Sequence, residues 1–356
     1  MMSEPEARAV LARRLRTQGR ACAELGSPLY ADLMERAATD VEAGGVIRDV
    51  LAGHEADPGP SALALRLFGG LHRLALEGRA PDLAAHLPST GGDGDPTASW
   101  RAVLGTIREQ FESVRDLTNR GVQTNEVGRS AALLGGFLEV TDETGLPLRV
   151  LELGASGGLN LRFDHYHYRG PGWEWGRSDS PVQLDGCFIG PLPAMPANGP
   201  VVVAERRGCD AAPVDLSAEE GRLTLLSFVW PDQSRRLALL RGALEVAAAV
   251  PVTVNQADAA DWVQAELADP VPGMATVVFH SVFWQYLTDA ARDSILTTLQ
   301  EAGVRATAEA PLYLLRMEPA YRTFEVRLTS WPGGRDDLLA TCSAHGMDIR
   351  WGVSDV

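Results

Sequence analysis

An apolar run, Leu148-Arg149-Val150-Leu151-Glu152-Leu153, leads directly into five small residues, Gly154-Ala155-Ser156-Gly157-Gly158. Small residues let a backbone approach a ligand closely, and helical texture from Leu159 would add the open N–H groups of a helix N-terminus. Glu152 is the exception within the run. A carboxylate at the tip of an apolar strand is costly unless something positive meets it. Later segments repeat the theme of an apolar run ending in a reactive group: Asp210 in Gly208-Cys209-Asp210, Asp258 followed by Ala259, His280 after Thr276–Phe279 with Tyr286 beyond it, and Glu318 after Leu315-Arg316-Met317. The polar stretch Gln123–Arg129, with Asn125 and Arg129, precedes the first of these runs. His165 and His167 stand two apart with no third ligand of matching spacing nearby, so a cross-strand polar face is expected there and no metal.

These groups need elements to hold them. The β-rich runs Leu148–Leu153, Val201–Ala204, Val252–Val254, Thr276–Phe279 and Leu312–Leu315 alternate with helical stretches such as Ser234–Ala249 and Asp289–Glu301. That alternation predicts βαβ units and an α/β domain with a Rossmann-like, mostly parallel sheet over residues 121–356. Phe324, Val326 and Leu328 alternate with polar neighbours, Trp331–Gly334 makes a turn, and Leu338–Cys342 returns, which predicts a closing antiparallel hairpin. Residues 1–120 read as an all-helical N-terminal part: Leu63, Leu67, Leu71 and Leu74 fall on one stripe, and so do Val103, Ile107, Phe111 and Val114. The run Gly91–Pro96 between them reads as a solvated turn.

Composition bounds the chemistry. The chain has 356 residues, 45% of them hydrophobic, which is ordinary globular material. Its 47 acidic against 32 basic side chains leave a formal charge of −15, which disfavours a nucleic-acid backbone or an anionic membrane as partner. Every basic residue is arginine. Without lysine there is no Schiff-base chemistry of the pyridoxal-phosphate kind and no P-loop lysine. Cys22, Cys187, Cys209 and Cys342 are scattered and read as reduced thiols, and the N-terminus is acidic with no apolar run behind it, so a cytoplasmic location is expected.

The loop admits two readings. As a dinucleotide fingerprint it fails, because Ser156 and Leu159 stand where glycines are required. Gly154-Ala155-Ser156-Gly157-Gly158 matches the G-x-S-x-G elbow of serine hydrolases, with Asp258 and His280 or His345 completing the order. Yet everything upstream reads as helical, where that elbow follows several strands. Glu152-x-Gly154-x-Ser156-x-Gly158 resembles the E/D-x-G-x-G-x-G loop of class I S-adenosylmethionine-dependent methyltransferases, with serine for the middle glycine. That resemblance implies S-adenosylmethionine as cofactor, approached by Glu152, Gly154, Ser156 and Gly158. It implies a ribose-binding acid after the second strand, for which Asp210 and Glu205 compete, and an adenine-binding pair Asp258 and Ala259 after the third, with Asp261 left to cap a helix.

Asp210 lies well beyond the spacing of about 20 residues usual for such a unit, so an insertion is expected. Residues 164–200, rich in Tyr and Trp about Gly170-Pro171-Gly172, supply it as a β-hairpin over the site. The same resemblance makes Phe279–Leu287 the place where cofactor and acceptor meet. His280 is then the candidate base, with Tyr286 and Glu318 in reserve, and Asn125 and Arg129 close on the cofactor's carboxylate. The expected activity is methyl transfer to a small molecule, the helical part serving as an acceptor lid. The alternatives are a hydrolase acting through Ser156 and a protein that binds the cofactor without catalysis. The whole chain also resembles a bacterial family catalogued as a domain of unknown function, which implies no activity.

Overall fold

A computed structural model describes residues 3–190 and 196–352. The first two residues, and 191–195 within the expected insertion, lie outside the described residues. The chain divides into two compact units, Met1–Thr124 with Ala218–Leu237, and Asn125–Ser217 with Ala238–Val356.

The first unit is helical. The helix Leu63–Leu76 is buried on nearly every side, and Leu67, Phe68, Leu71 and Leu74 are its core contribution. Leu11 and Leu15 from Glu4–Glu24, and Tyr30, Leu33 and Met34 from Pro28–Glu42, pack into the same cluster. Trp230, from the segment that returns after residue 217, also belongs to it. The stripe expected across residues 103–114 is split at Gln110 into the helices Pro96–Glu109 and Phe111–Asn119. Within Gly91–Pro96, Asp95 caps the first of these through the N–H groups of Thr97 and Ala98, and Asp93 pairs with His86 at 2.9 Å.

The second unit is mixed α/β. Its strands are β1 (Leu148–Leu153), β2 (His167–Gly170), β3 (Trp173–Gly176), β4 (Gln183–Asp185), β5 (Val203–Asp210), β6 (Thr253–Gln256), β7 (Ala275–Ser281), β8 (Leu312–Ala320), β9 (Thr323–Trp331), β10 (Arg335–Cys342) and β11 (Arg350–Trp351). An eight-stranded sheet runs in the order β11-β10-β9-β8-β7-β1-β5-β6. From β6 to β8 the pairs are parallel, and from β8 to β11 antiparallel, so the closing hairpin is β9–β10. The chain leaves β1 toward β5 and β6, then crosses back to β7 on the other side. That reversal makes the carboxyl ends of β1 and β7 a topological switch point, where open α/β sheets hold ligands.

Alternation along the strands sorts their side chains by face. Leu151, Leu153, Cys209, Val278, Leu312 and Leu314 pack with Trp262 and Val263 of the helix Ala259–Glu266 and with Ile295 and Leu299 of Asp289–Arg305. On the opposite face Phe137 of the helix Arg129–Thr144 stacks on Phe163 at 3.9 Å and meets Phe279 edge-on. Trp262 is therefore core, its indole N–H donating to Asn255. The insertion forms a small sheet, β3-β2-β4, in which β2 and β3 are a hairpin about residues 171–172. Tyr166 and Tyr168 are fully buried and donate to the carbonyls of Leu159 and Phe163, and His167 bonds to Gln183. The aromatic insertion thus braces the segment that follows the glycine loop.

Candidate functional site

The small residues after β1 have distinct jobs. Gly154, Ser156 and Gly158 all take positive φ, at 69°, 52° and 68°. A Cβ on Gly154 would run into the Phe283 ring, and one on Gly158 would lie 2.9 Å from Val252 Cγ2. Four N–H groups here are spent inside the chain: Ala155 donates to Cys209 O, Ser156 to Asp210 Oδ2 at 2.9 Å, Gly158 to Ala155 O, and Leu159 to Asn125 Oδ1 at 2.9 Å. Arg162 closes the far side by donating to the Gly157, Gly158 and Val250 carbonyls. The helix expected from Leu159 is a short 3-10 turn, Asn160–His165. Other groups take the backbone here: Asn125 accepts from the Leu159 N–H, while Arg162 and Tyr166 donate to the Gly157, Gly158 and Leu159 carbonyls that a helix would have bonded to its own N–H groups. The loop is a tight, internally bonded turn, with little of the phosphate cradle about it.

Acidic groups gather at the strand ends. Glu152 is 2% exposed on the face of Arg129–Thr144 and is hydrogen-bonded by Asn160, while its Oε2 has no partner among the described residues. Burial drives its carboxyl well above the ordinary 4.5, and the nearby Asp210 charge adds to the rise. The amide of Asn160, Arg162 and Arg129 oppose that rise. Asp210 ends β5 and accepts from two backbone N–H groups, those of Ser156 and Ala212, which fastens the glycine loop to its neighbour strand.

Glu205, its competitor, sits near the start of the same strand and accepts from Arg149 at 3.0 Å, far from the carboxyl ends. The strand expected over Val201–Ala204 runs from Val203 through Glu205-Arg206-Arg207 to Asp210. Pairing resolves those charges: Arg206 forks onto Asp164, and Arg207 and Arg149 meet Glu266.

Asp258 follows β6, is exposed, and caps Ala259–Glu266 by accepting from the Ala260 and Asp261 N–H groups. The cap expected of Asp261 belongs to Asp258. Ala259 is nearly buried beneath it. Glu152, Asp210 and Asp258 thus stand at or just beyond the carboxyl ends of the neighbouring strands β1, β5 and β6.

The end of β7 forms a second cluster. His280 is 0% exposed, and its Nδ1 lies 2.7 Å from Glu318 Oε1 on β8. That oxygen also accepts from the N–H groups of Phe283, at 2.8 Å, and Trp284, at 3.3 Å. Between them Val282 takes φ 53°, a conformation a β-branched residue adopts only when its surroundings impose it, at a cost of about 1–3 kcal/mol. The Trp284 ring lies 4.3 Å from the imidazole. His280 Nε2 and Glu318 Oε2 are buried without a partner among the described residues. Tyr286, on the 3-10 turn Trp284–Tyr286, is 61% exposed, in contrast to this buried pair.

Arg129 donates to the carbonyls of Ser281 and Ala344, so it ties the end of β7 to the loop after β10. The acid partner of His280 is Glu318, not the Asp258 that a hydrolase order Ser156, Asp258, His280 would require. Sequence reading named His280 and Glu318 separately and missed their union, and it missed Asn160, Val282 and Trp284. A polar Asn two places after Gly158 was the one available signal.

No curated protein and no solved structure matches the chain. A match does exist over residues 12–351, running through both units. By that match the chain belongs to the bacterial family described as "Uncharacterized protein conserved in bacteria (DUF2332)".

Proposed function

We propose that the protein is an S-adenosylmethionine-dependent methyltransferase acting on a small molecule. One observation carries the reading: three adjacent parallel strands, β1, β5 and β6, carry Glu152, Asp210 and Asp258 at or just beyond their carboxyl ends, beside the switch point. A buried carboxylate oxygen with no partner, as at Glu152, is stabilised by a cation, and the cofactor is cationic. Glu152 would meet its charged end, Asp210 keeps lone pairs for two ribose hydroxyls beyond its two N–H donors, and Asp258 has Oδ2 free of the cap for the base. Asn125 and Arg129 hold the loops that frame this point. Bound there, the cofactor supplies an electrophilic methyl group. The chain's part is to orient the acceptor, exclude water and take up any proton the acceptor releases.

Calorimetric titration with S-adenosylmethionine and S-adenosylhomocysteine tests this. The variants must separate binding from folding, because Asp258 also caps a helix. Asp258→Ser keeps a good cap and withdraws the second oxygen. It is expected to unfold close to wild type and to bind the cofactor about tenfold or more weakly. Asp258→Ala is expected to lose about 1 kcal/mol of stability as well. Absence of binding at millimolar cofactor would refute the reading, and labelling of Ser156 by a fluorophosphonate would replace it with hydrolase chemistry.

A further inference from the structure

We propose that the acceptor is a hydroxyl group, and that His280 Nε2 takes its proton while Glu318 holds the imidazole. This deepens the methyltransferase reading and rests on it for the methyl donor.

The argument starts at Glu318 Oε1, which accepts three hydrogen bonds. Two come from backbone N–H groups of Phe283 and Trp284, which can only donate. Oε1 is thereby fixed as an acceptor, so the third bond, 2.7 Å from His280 Nδ1, is a donation by the imidazole. A neutral imidazole with its proton on Nδ1 presents a bare lone pair at Nε2. Nε2 is buried and has no partner among the described residues. It lies at the end of β7, beside the switch point and under the Trp284 ring. The left-handed Val282 is an independent sign. It turns the chain so that Phe283 and Trp284 reach Glu318, and strain of this kind concentrates at working sites. The other charges nearby are committed elsewhere: Arg129 donates to Ser281 O, and Arg316, the register partner of His280, pairs with Asp336.

The substrate class follows from what a base is needed for. A thioether or a tertiary amine has no proton to lose, a carboxylate is already ionised, and a thiol ionises readily near neutrality. A hydroxyl needs the base, and unlike a primary or secondary amine, which is an ammonium near neutral pH, it brings no second positive charge beside the sulfonium. In the step, an oxygen lone pair forms the new O–CH3 bond. The C–S bond breaks with its electron pair going to sulfur, and the O–H proton passes to Nε2, leaving an imidazolium beside the Glu318 carboxylate. Glu318 is a positioning residue.

Two measurements on the full chain decide the matter. The first needs no cofactor: long-range 15N–1H correlation of the histidine rings, with His280 assigned by its disappearance in His280→Asn. A neutral ring protonated at Nδ1 near neutral pH is expected. A ring protonated at Nε2, or an imidazolium, overturns the proposal. The second offers methyl-labelled S-adenosylmethionine with matched acceptors: phenols and alcohols against their methyl ethers, thioethers and tertiary amines. Label is expected in the hydroxyl members alone, falling about 10²–10⁴-fold in His280→Asn. Glu318→Gln is expected to keep the Nδ1 tautomer but shift the pH profile of the rate. Label in a tertiary amine or thioether, no label in any hydroxyl, or an undiminished rate in His280→Asn overturns the proposal. Failure of the cofactor to bind in calorimetry overturns the methyl donor and the acceptor class together, and the ring measurement then reports on the His280–Glu318 pair alone.

Discussion

Glu152 concentrates the cost of the site in one side chain. Folding withdraws its carboxyl from water and leaves one oxygen without a partner, and its ordinary value of 4.5 is pushed well upward. The folded chain therefore keeps a proton that the unfolded chain has lost. The stability linked to that proton is complete below about 4.5 and drains away as pH rises toward the folded value. Glu152→Gln removes the titration and keeps an amide that can bond to Asn160. Denaturant unfolding at about pH 5 and about pH 8 should show the variant gaining on wild type at the higher pH. A gap independent of pH would mean that the folded glutamate ionises without penalty. This residue was legible from its place in an apolar run, because Leu148–Leu153 offered no other reason for a charge. The His280–Glu318 pair was legible only as two separate residues, because strand register brings them together and register is not written in either segment.

At the scale of elements, the glycine loop is a backbone device. Its positive φ angles turn the chain, Asp210 and Arg162 bind its N–H and carbonyl groups, and Phe283 from the turn after β7 occupies the space beside Gly154. Gly154→Ala should be destabilising by about 2 kcal/mol or more, since the left-handed conformation alone costs an L-residue about 1–2 kcal/mol and the Phe283 ring must also move. Urea unfolding measures it, and a loss below about 0.5 kcal/mol would show that the loop relaxes freely. The strands β1, β7, β9 and β10 were readable from alternation and apolar runs. β5 extends beyond the apolar run because its half-buried Glu205, Arg206 and Arg207 are tolerated in a strand through partners on other elements. The helix expected after Gly158 failed for the same kind of reason: Tyr166 and Asn125 compete successfully for the backbone groups a helix would use.

For the molecule as a whole, the four cysteines give a direct check on burial. All are free and buried, and burial pushes the thiols of Cys22, Cys209 and Cys342 up to about 12. A thiolate is the reactive form, so a thiol reagent at neutral pH should leave the native chain almost unlabelled and modify all four cysteines in denaturant. Rapid labelling of the native chain at Cys209 would mean that the carboxyl end of β5 opens. Among the described residues no helix is long and apolar enough to cross a membrane.

What the amino-acid order determined by itself was local: an all-arginine basic complement, a helical first part, alternating strands and helices after residue 145, and the closing hairpin. Those features follow from propensity and periodicity, which act over a few residues. The place of Asp210 at the carboxyl end of β5 with Glu205 near its start, the left-handed Val282 and the union of His280 with Glu318 were decided by the tertiary structure. Each depends on which strand lies beside which, and on partners more than thirty residues away that satisfy groups no neighbouring residue could reach.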